Sequence, residues 1–165
     1  MDRTAPEVHV PAWVIPSSLV VCGLGLLDAA YLTFEHYTAS TTLACSETAT
    51  VNCLRVTTSS YADVLGIPFA VLGVVFFLGM GLLCLPVAWR RPGRPLRLIR
   101  VAGAVVGVLV ALYLVWVELF RLDAICLYCT GVHVLTFVLF VVVALGSAAI
   151  VDETLARERE YDGST

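Results

Sequence analysis

The sequence predicts an all-α membrane protein, a bundle of four transmembrane helices with one long loop between helices 1 and 2. Hydrophobic residues make up 59% of the 165 residues and charged residues only 14%, whereas a soluble domain is about half apolar and about a quarter charged. Four apolar runs approach or exceed the roughly 20 residues that a helix needs to cross a bilayer. The arginines cluster beside these runs, as they do in the cytoplasmic loops of membrane proteins.

The predicted helices form a single integral membrane domain over residues 1–165, and they cover about residues 12–37, 66–88, 99–120 and 125–151. The first run is too long for a signal peptide and has no small-residue cleavage site, which predicts a signal anchor. A redox loop over residues 38–65 separates the first two helices. A polar cytoplasmic tail over residues 152–165 follows the last helix and is expected to be its frayed end.

The arginine distribution predicts how the bundle is oriented. Eight of the ten arginines lie at the two termini or in the 89–100 loop, and only Arg55 and Arg121 lie on the opposite side. The positive-inside rule therefore predicts a cell (inner) membrane protein with both termini in the cytoplasm and the 38–65 loop on the periplasmic or extracellular side. The chain has no lysine and no basic tract interleaved with aromatic residues, so nucleic-acid binding has no support.

The six cysteines fall into two classes. Cys22 and Cys84 lie inside apolar runs, which predicts small apolar core residues. The other four, Cys45, Cys53, Cys126 and Cys129, lie in or beside segments predicted to meet water on the non-cytoplasmic side. Four such cysteines in two pairs indicate disulfide chemistry in an oxidising compartment.

The Cys126-Leu127-Tyr128-Cys129 stretch opens the fourth predicted helix. Two cysteines three apart share a helix face, and the positive end of the helix dipole favours their thiolate form. Cys129 would lie one turn deeper than Cys126, where a membrane-soluble oxidant could reach it. Two alternatives are a static disulfide at the start of the helix and half of a zinc site, although the loop offers no further ligand pair.

The loop pair, Cys45 and Cys53, lies in a stretch rich in serine and threonine, which predicts a polar, mobile segment. Such a loop can carry a disulfide between a soluble partner and a pair at the membrane edge; the alternative is a simple loop-closing disulfide. Two other classes of function stay open. The protein could be a non-catalytic membrane protein braced by structural disulfides, or a metal transporter or metal sensor.

Four features follow one another along the chain: Cys45 with Cys53, Ser59, Gly66-Ile67-Pro68 at the start of helix 2, and Cys126-x-x-Cys129 at the start of helix 4. In this order they resemble the vitamin K epoxide reductase family, and more narrowly its bacterial homologues, over about residues 12–150. The unrelated DsbB quinone reductases also have four helices and two cysteine pairs, but their C-x-x-C lies in the first outer loop.

The resemblance implies a four-helix bundle around a quinone, capped by a short helix in the first loop. Cys45 would take electrons from a separate thioredoxin-like (DsbA-like) protein, since the chain has no such domain of its own. Cys53 would then attack the Cys126–Cys129 disulfide at Cys126, and Cys129 would reduce the quinone, either ubiquinone or menaquinone (vitamin K). The implied activity is that of a quinone-dependent thiol-disulfide oxidoreductase supporting disulfide formation in exported proteins.

The resemblance also assigns residues to the quinone side. Ser59 matches the loop serine that helps to organise this side of the site. His133 stands where the animal enzymes have a quinone-binding tyrosine, and Phe69 where an asparagine is expected. These departures disfavour vitamin K epoxide reduction, the alternative activity. His133 lies one turn beyond Cys129, where it can donate to a quinone oxygen or simply pack inside the bundle.

Four other ionisable residues lie near the predicted outer ends of the helices. Asp28, inside the first apolar run, is expected either to deliver protons or to reach interfacial water or another helix, because an intramembrane carboxylate costs about 2.5–3.5 kcal/mol. Glu35, His36 and Glu118 are expected to be solvated.

Overall fold

The computed structural model describes residues 10–38, 45, 48, 50–90 and 94–162. The chain is mostly helical. Its elements are α1 (Val14–Thr38), α2 (Cys53–Thr57), β1 (Asp63–Val64), β2 (Ile67–Pro68), α3 (Phe69–Leu83), α4 (Pro86–Arg90), α5 (Arg94–Val117), a π-helical turn (Glu118–Leu122) and α6 (Leu127–Asp162).

Three helices in the described ranges are long and apolar enough to cross a membrane: α1, α5 together with the π turn, and α6 up to Asp152. The fourth apolar helix, α3, has 15 residues and is therefore about 22 Å long, shorter than a bilayer core of about 30 Å. The membrane character is thus evident, and the four-span count stays a prediction.

The predicted helix over residues 66–88 is divided into three parts. Ile67 and Pro68 pair with Val64 and Asp63 in an antiparallel β-hairpin, so the helix begins at Phe69 rather than at Gly66. It ends at Leu83, and the short α4 begins at Pro86. Proline favours the first position of a helix and disfavours helical geometry in the residue before it, which accounts for the break.

The other helix bounds also differ from the predicted ones. Helix α5 begins at Arg94, five residues earlier than expected, and the π turn extends it to Leu122. Helix α6 continues to Asp162, which agrees with the interpretation of the tail as the end of this helix.

The core of the bundle lies where α1 packs against α3 and α6, with α5 packing against α6. Close helix contact requires a small residue at Gly25, because a Cβ there would lie 2.3 Å from the Phe77 ring. Cys22 and Cys84 are both buried in this core. Many outward-facing leucines and valines of α1, α3, α5 and α6 are exposed, as expected for surfaces that face lipid.

Arg100 secures the end of the bundle where α3 breaks. Its buried guanidinium donates hydrogen bonds to the carbonyl oxygens of Leu83 and Ala88, both at 3.0 Å, and lies 3.6 Å from the centre of the Trp89 ring. These bonds satisfy two helix-end carbonyls that would otherwise lack partners. The four cysteines outside the core lie at the opposite end of the bundle, where α1 ends and α6 begins.

Candidate functional site

A short backbone bridge brings the two cysteine pairs together. Val51 and Ile125 form a parallel β-bridge, in which the Asn52 N–H donates to the Ile125 carbonyl at 3.1 Å and the Ile125 N–H donates to the Thr50 carbonyl at 2.9 Å. Because Cys53 follows Asn52 and Cys126 follows Ile125, these bonds place the second loop cysteine beside the first cysteine of the C-x-x-C.

The loop pair is joined as a disulfide. Cys45 and Cys53 are bonded, with their Cα atoms 6.2 Å apart. Cys53 is fully buried, whereas Cys45 is partly exposed. Cys53 is the first residue of α2, and the Asn52 side chain caps that helix by accepting the Arg55 N–H at 2.8 Å. This cap fixes the orientation of Cys53.

The C-x-x-C pair is present as two free thiols at the start of α6. The Cys129 N–H donates to Cys126 Sγ at 3.2 Å. Hydrogen bonds from the Cys129 side chain and from the Cys129 and Tyr128 backbone lower the pKa of the Cys126 thiol, although burial opposes the shift. Unpaired N–H groups at the start of a helix thus favour the Cys126 thiolate, as the sequence predicts.

All four cysteines belong to one small apolar cluster. Cys53, Cys126 and Leu32 are its buried members. Cys45 and Cys129 pack against them, with Val56, Ala70, Tyr128 and Val132. Sulfur atoms gathered in one water-excluding cluster can exchange partners after small side-chain movements, which is the geometry that a disulfide relay requires.

A cavity of about 100 Å³ lies beside this cluster, and Cys129 forms part of its wall. Three other residues assigned by the resemblance, Ser59, Phe69 and His133, also line it. The remaining wall is mainly apolar and comes from α1, α2 and the loop after it, β2, α3, α5, the π turn and α6. The structure therefore brings together residues that lie up to 74 positions apart in the sequence.

Two polar residues of the cavity wall differ in their hydrogen bonding. The Ser59 hydroxyl donates to the Val56 carbonyl at 2.9 Å, which holds it at the end of α2. His133 is only 9% exposed, and its buried Nδ1 has no hydrogen-bond partner among the described residues. Leaving such a group unpaired costs about 1–3 kcal/mol, so a ligand with a polar oxygen would relieve it. An apolar wall, an unpaired ring nitrogen and an adjacent thiol fit a quinone.

The expectation that Glu118 and Glu35 are solvated is wrong, whereas His36 is only half-buried and keeps part of its surface exposed. Glu118 is 5% exposed, and its Oε2 accepts the Cys126 N–H at 3.4 Å. Glu35 is 6% exposed, and His36 lines the cavity. Helix α2 packs against the π turn, and the Cys126 backbone N–H bonds the Glu118 carboxylate, so these two segments help to bury the end of α5. Glu118 is the functional candidate that sequence reasoning missed. No pattern in the neighbouring sequence predicts that other segments bury it.

Asp28 lies on the α1 face that meets α6. A Cβ at Gly131 would lie 2.7 Å from Asp28 Oδ2, so only glycine leaves room for this carboxylate beside the first turns of α6. The contact shows that Asp28 packs against another helix, which was one of the outcomes expected for it.

The model of the vitamin K epoxide reductase family matches residues 16–144, well over half of the chain. The chain belongs to the vitamin K epoxide reductase family. The matched segment contains the four clustered cysteines and every residue that lines the cavity. This family consists of membrane-embedded oxidoreductases that in general use quinones, and membership identifies the protein as a membrane thiol oxidoreductase.

Proposed function

We propose that the protein oxidises a separate thioredoxin-like protein and passes the electrons through its two cysteine pairs to a quinone. It would thereby support disulfide formation in exported proteins. One observation carries the proposal: both pairs lie in a single buried cluster, and Cys129 of that cluster also forms part of the cavity wall.

Electrons enter at the loop pair. Cys45 is the more exposed member of the Cys45–Cys53 disulfide, so a partner thiolate attacks the Cys45 sulfur. This forms a mixed disulfide and releases Cys53 as a thiolate. The partner's second thiol then breaks the mixed disulfide, which frees Cys45 and releases the partner as a disulfide.

Electrons next pass to the C-x-x-C pair in its oxidised form. Cys53 attacks Cys126, which breaks the Cys126–Cys129 disulfide and releases Cys129. Cys45 then attacks Cys53, restores the loop disulfide and releases Cys126. The lowered pKa of Cys126 favours this last step, because a thiol of lower pKa leaves faster. The pairing in the structure, a loop disulfide with two free inner thiols, corresponds to the product.

The quinone is the second substrate, and it accepts two electrons and two protons to become a hydroquinone. Cys129 is the thiol that faces it, Phe69 supplies apolar wall, and the unpaired Nδ1 of His133 is placed to hydrogen-bond one of its oxygens. Ser59 helps to shape the cavity through its bond to Val56. Ubiquinone and menaquinone share the ring and oxygens that these contacts recognise.

We further propose that the cysteine end faces the periplasm or the cell exterior and that both termini are cytoplasmic. The arginines support this orientation. Four of them, Arg90, Arg94, Arg97 and Arg100, lie on α4 and α5 at the end of the bundle opposite to the cysteines. By the positive-inside rule, this arginine distribution supports a cytoplasmic location for that end.

The relay predicts which single substitutions stop quinone reduction. Purified protein is supplied with a reduced thioredoxin-like donor and either ubiquinone or menaquinone, and quinone absorbance is followed. Cys129→Ala should abolish turnover because the cavity loses its thiol. Cys45→Ala should abolish turnover with the protein donor, yet its inner pair should still reduce quinone when dithiothreitol is the donor.

Cys22→Ala is the matched control, since Cys22 is a buried cysteine of the distant core, and it should turn over like the unmodified protein. Normal turnover in Cys129→Ala would contradict the relay. If the unmodified protein reduces no quinone with any donor, and its loop disulfide resists reduction, the disulfide has a structural role only.

A further inference from the structure

Glu118 is a buried carboxylate beside the C-x-x-C thiols. It is 5% exposed, and the described residues give its side chain one hydrogen bond, from the Cys126 N–H to Oε2. No cationic side chain of the described ranges is paired with it. A carboxylate buried without a cation is expensive to keep charged, so its presence at the thiol pair requires an explanation.

The backbone around Glu118 is built to hold that side chain in place. Glu118 begins the π-helical turn, a distortion that is rare and often found at functional sites. Its carbonyl accepts the N–H groups of Asp123 and of Ala124. Asp123 has a left-handed backbone, with φ of 46°, which turns the chain from the end of α5 into Cys126.

The surroundings of Glu118 are those of a proton-transfer group. Glu118 lines the same cavity as Cys129 and His133, so the carboxylate, the thiol that loses a proton and the space where a quinone fits lie together. His36 also faces this cavity from α1, and Tyr61 faces it from the loop. Asp28 approaches the first turns of α6 but does not line the cavity.

We propose that Glu118 takes the proton of the Cys129 thiol and delivers it to an oxygen of the bound quinone. This inference rests on the proposed quinone reductase function and adds a catalytic residue to it. The hydrogen bond from Cys126 N–H holds the carboxylate against the start of α6, while its other oxygen is left to exchange the proton.

The atoms and electrons balance over one turnover. Two thiols lose two electrons and two protons and form the Cys126–Cys129 disulfide, and the quinone gains two electrons and two protons. Glu118 carries one of these protons and returns to its starting state. The other proton leaves Cys126 for water, and an equivalent proton reaches the second quinone oxygen from water.

Glu118→Gln separates proton transfer from positioning. The amide oxygen can still accept the Cys126 N–H, but the side chain can no longer carry the proton. Pre-reduced protein is mixed with quinone, and a single turnover is followed by stopped-flow absorbance. We expect the variant to react at least about 100-fold more slowly, because general acid–base catalysis usually contributes a factor of this size. The rate at which dithiothreitol reduces its C-x-x-C disulfide should be unchanged.

A matched control and a second variant exclude a simple structural effect. Glu35→Gln changes a carboxylate of similar burial at the same end of the bundle that does not line the cavity, and it should retain the single-turnover rate. Glu118→Asp keeps a carboxyl group and should react at least tenfold faster than Glu118→Gln. Equal rates for these two Glu118 variants would mean that Glu118 only positions the helix, which contradicts the proposal.

An infrared measurement gives a readout besides activity. When pre-reduced protein is mixed with quinone, time-resolved infrared spectra should show a transient carboxyl C=O band that shifts in D₂O and is absent in Glu118→Gln. Its presence in that variant would overturn the assignment. If Glu118→Gln turns over like the unmodified protein, only the role of Glu118 is wrong. If the unmodified protein reduces no quinone, the proposed function itself fails.

Discussion

In the proposed relay, the direction of exchange depends on the Cys126 sulfur, because hydrogen bonds to it favour the thiolate. We therefore predict that reduced Cys126 titrates below the pKa of about 8.5 that is usual for a free thiol. The ultraviolet absorbance of the thiolate is measured against pH in the reduced protein and in Cys126→Ala. The absorbance difference between the two proteins should appear as pH rises through the lowered pKa of Cys126, and it should vanish at lower pH. A midpoint at or above the usual value would show that burial outweighs the hydrogen bonds.

Single residues differ in how much of their role is visible in the sequence. The two cysteine pairs and Ser59 are recognisable from type, spacing and order. Glu118 is not, because its burial depends on α2 and the Cys126 segment packing against the π turn. A charged residue at the end of an apolar run is usually solvated, and only tertiary structure distinguishes the exception.

The contact between α1 and α3 depends on a glycine, which yields a prediction about stability. A Cβ at Gly25 would lie 2.3 Å from the Phe77 ring, whereas a Cβ at Gly23, on the same helix, meets nothing within 4 Å. Gly25→Ala should lower the free energy of unfolding by about 1–3 kcal/mol, the usual cost of overpacking a core. Gly23→Ala should leave it unchanged or raise it slightly.

Thermal unfolding of the two glycine variants in detergent, beside the unmodified protein, measures this difference. Equal melting temperatures for Gly25→Ala and Gly23→Ala would show that α1 and α3 do not pack as closely as described.

The apolar runs predict the helices well but not their ends. Ile67 and Pro68 belong to an uncharged run, and yet they form a strand because they pair with Val64 and Asp63. The bridge between Val51 and Ile125 joins segments 74 residues apart, and no local pattern signals such a pairing. Helix ends and non-local bridges depend on tertiary contacts, which periodicity does not contain.

The molecule as a whole has two ends with different chemistry. One end holds Arg100, its two carbonyl partners and the α3–α4 break. The other gathers four cysteines, the cavity and its titratable side chains. Since the cavity lies beside the bundle core, electrons arriving from a protein in water can reach an acceptor dissolved in lipid without a separate carrier. That connection between two phases is the central claim of the proposed function.

Trapping the intermediate between the two pairs tests this claim most directly. In Cys45→Ala, the Cys53 thiol has lost its loop partner. Quinone added to the reduced variant should first oxidise Cys126 and Cys129, and Cys53 should then attack Cys126 and remain bonded to it. Mass spectrometry of non-reduced peptides should find a Cys53–Cys126 disulfide with Cys129 free, and only when quinone is present. A Cys126–Cys129 disulfide beside a free Cys53 would contradict the relay.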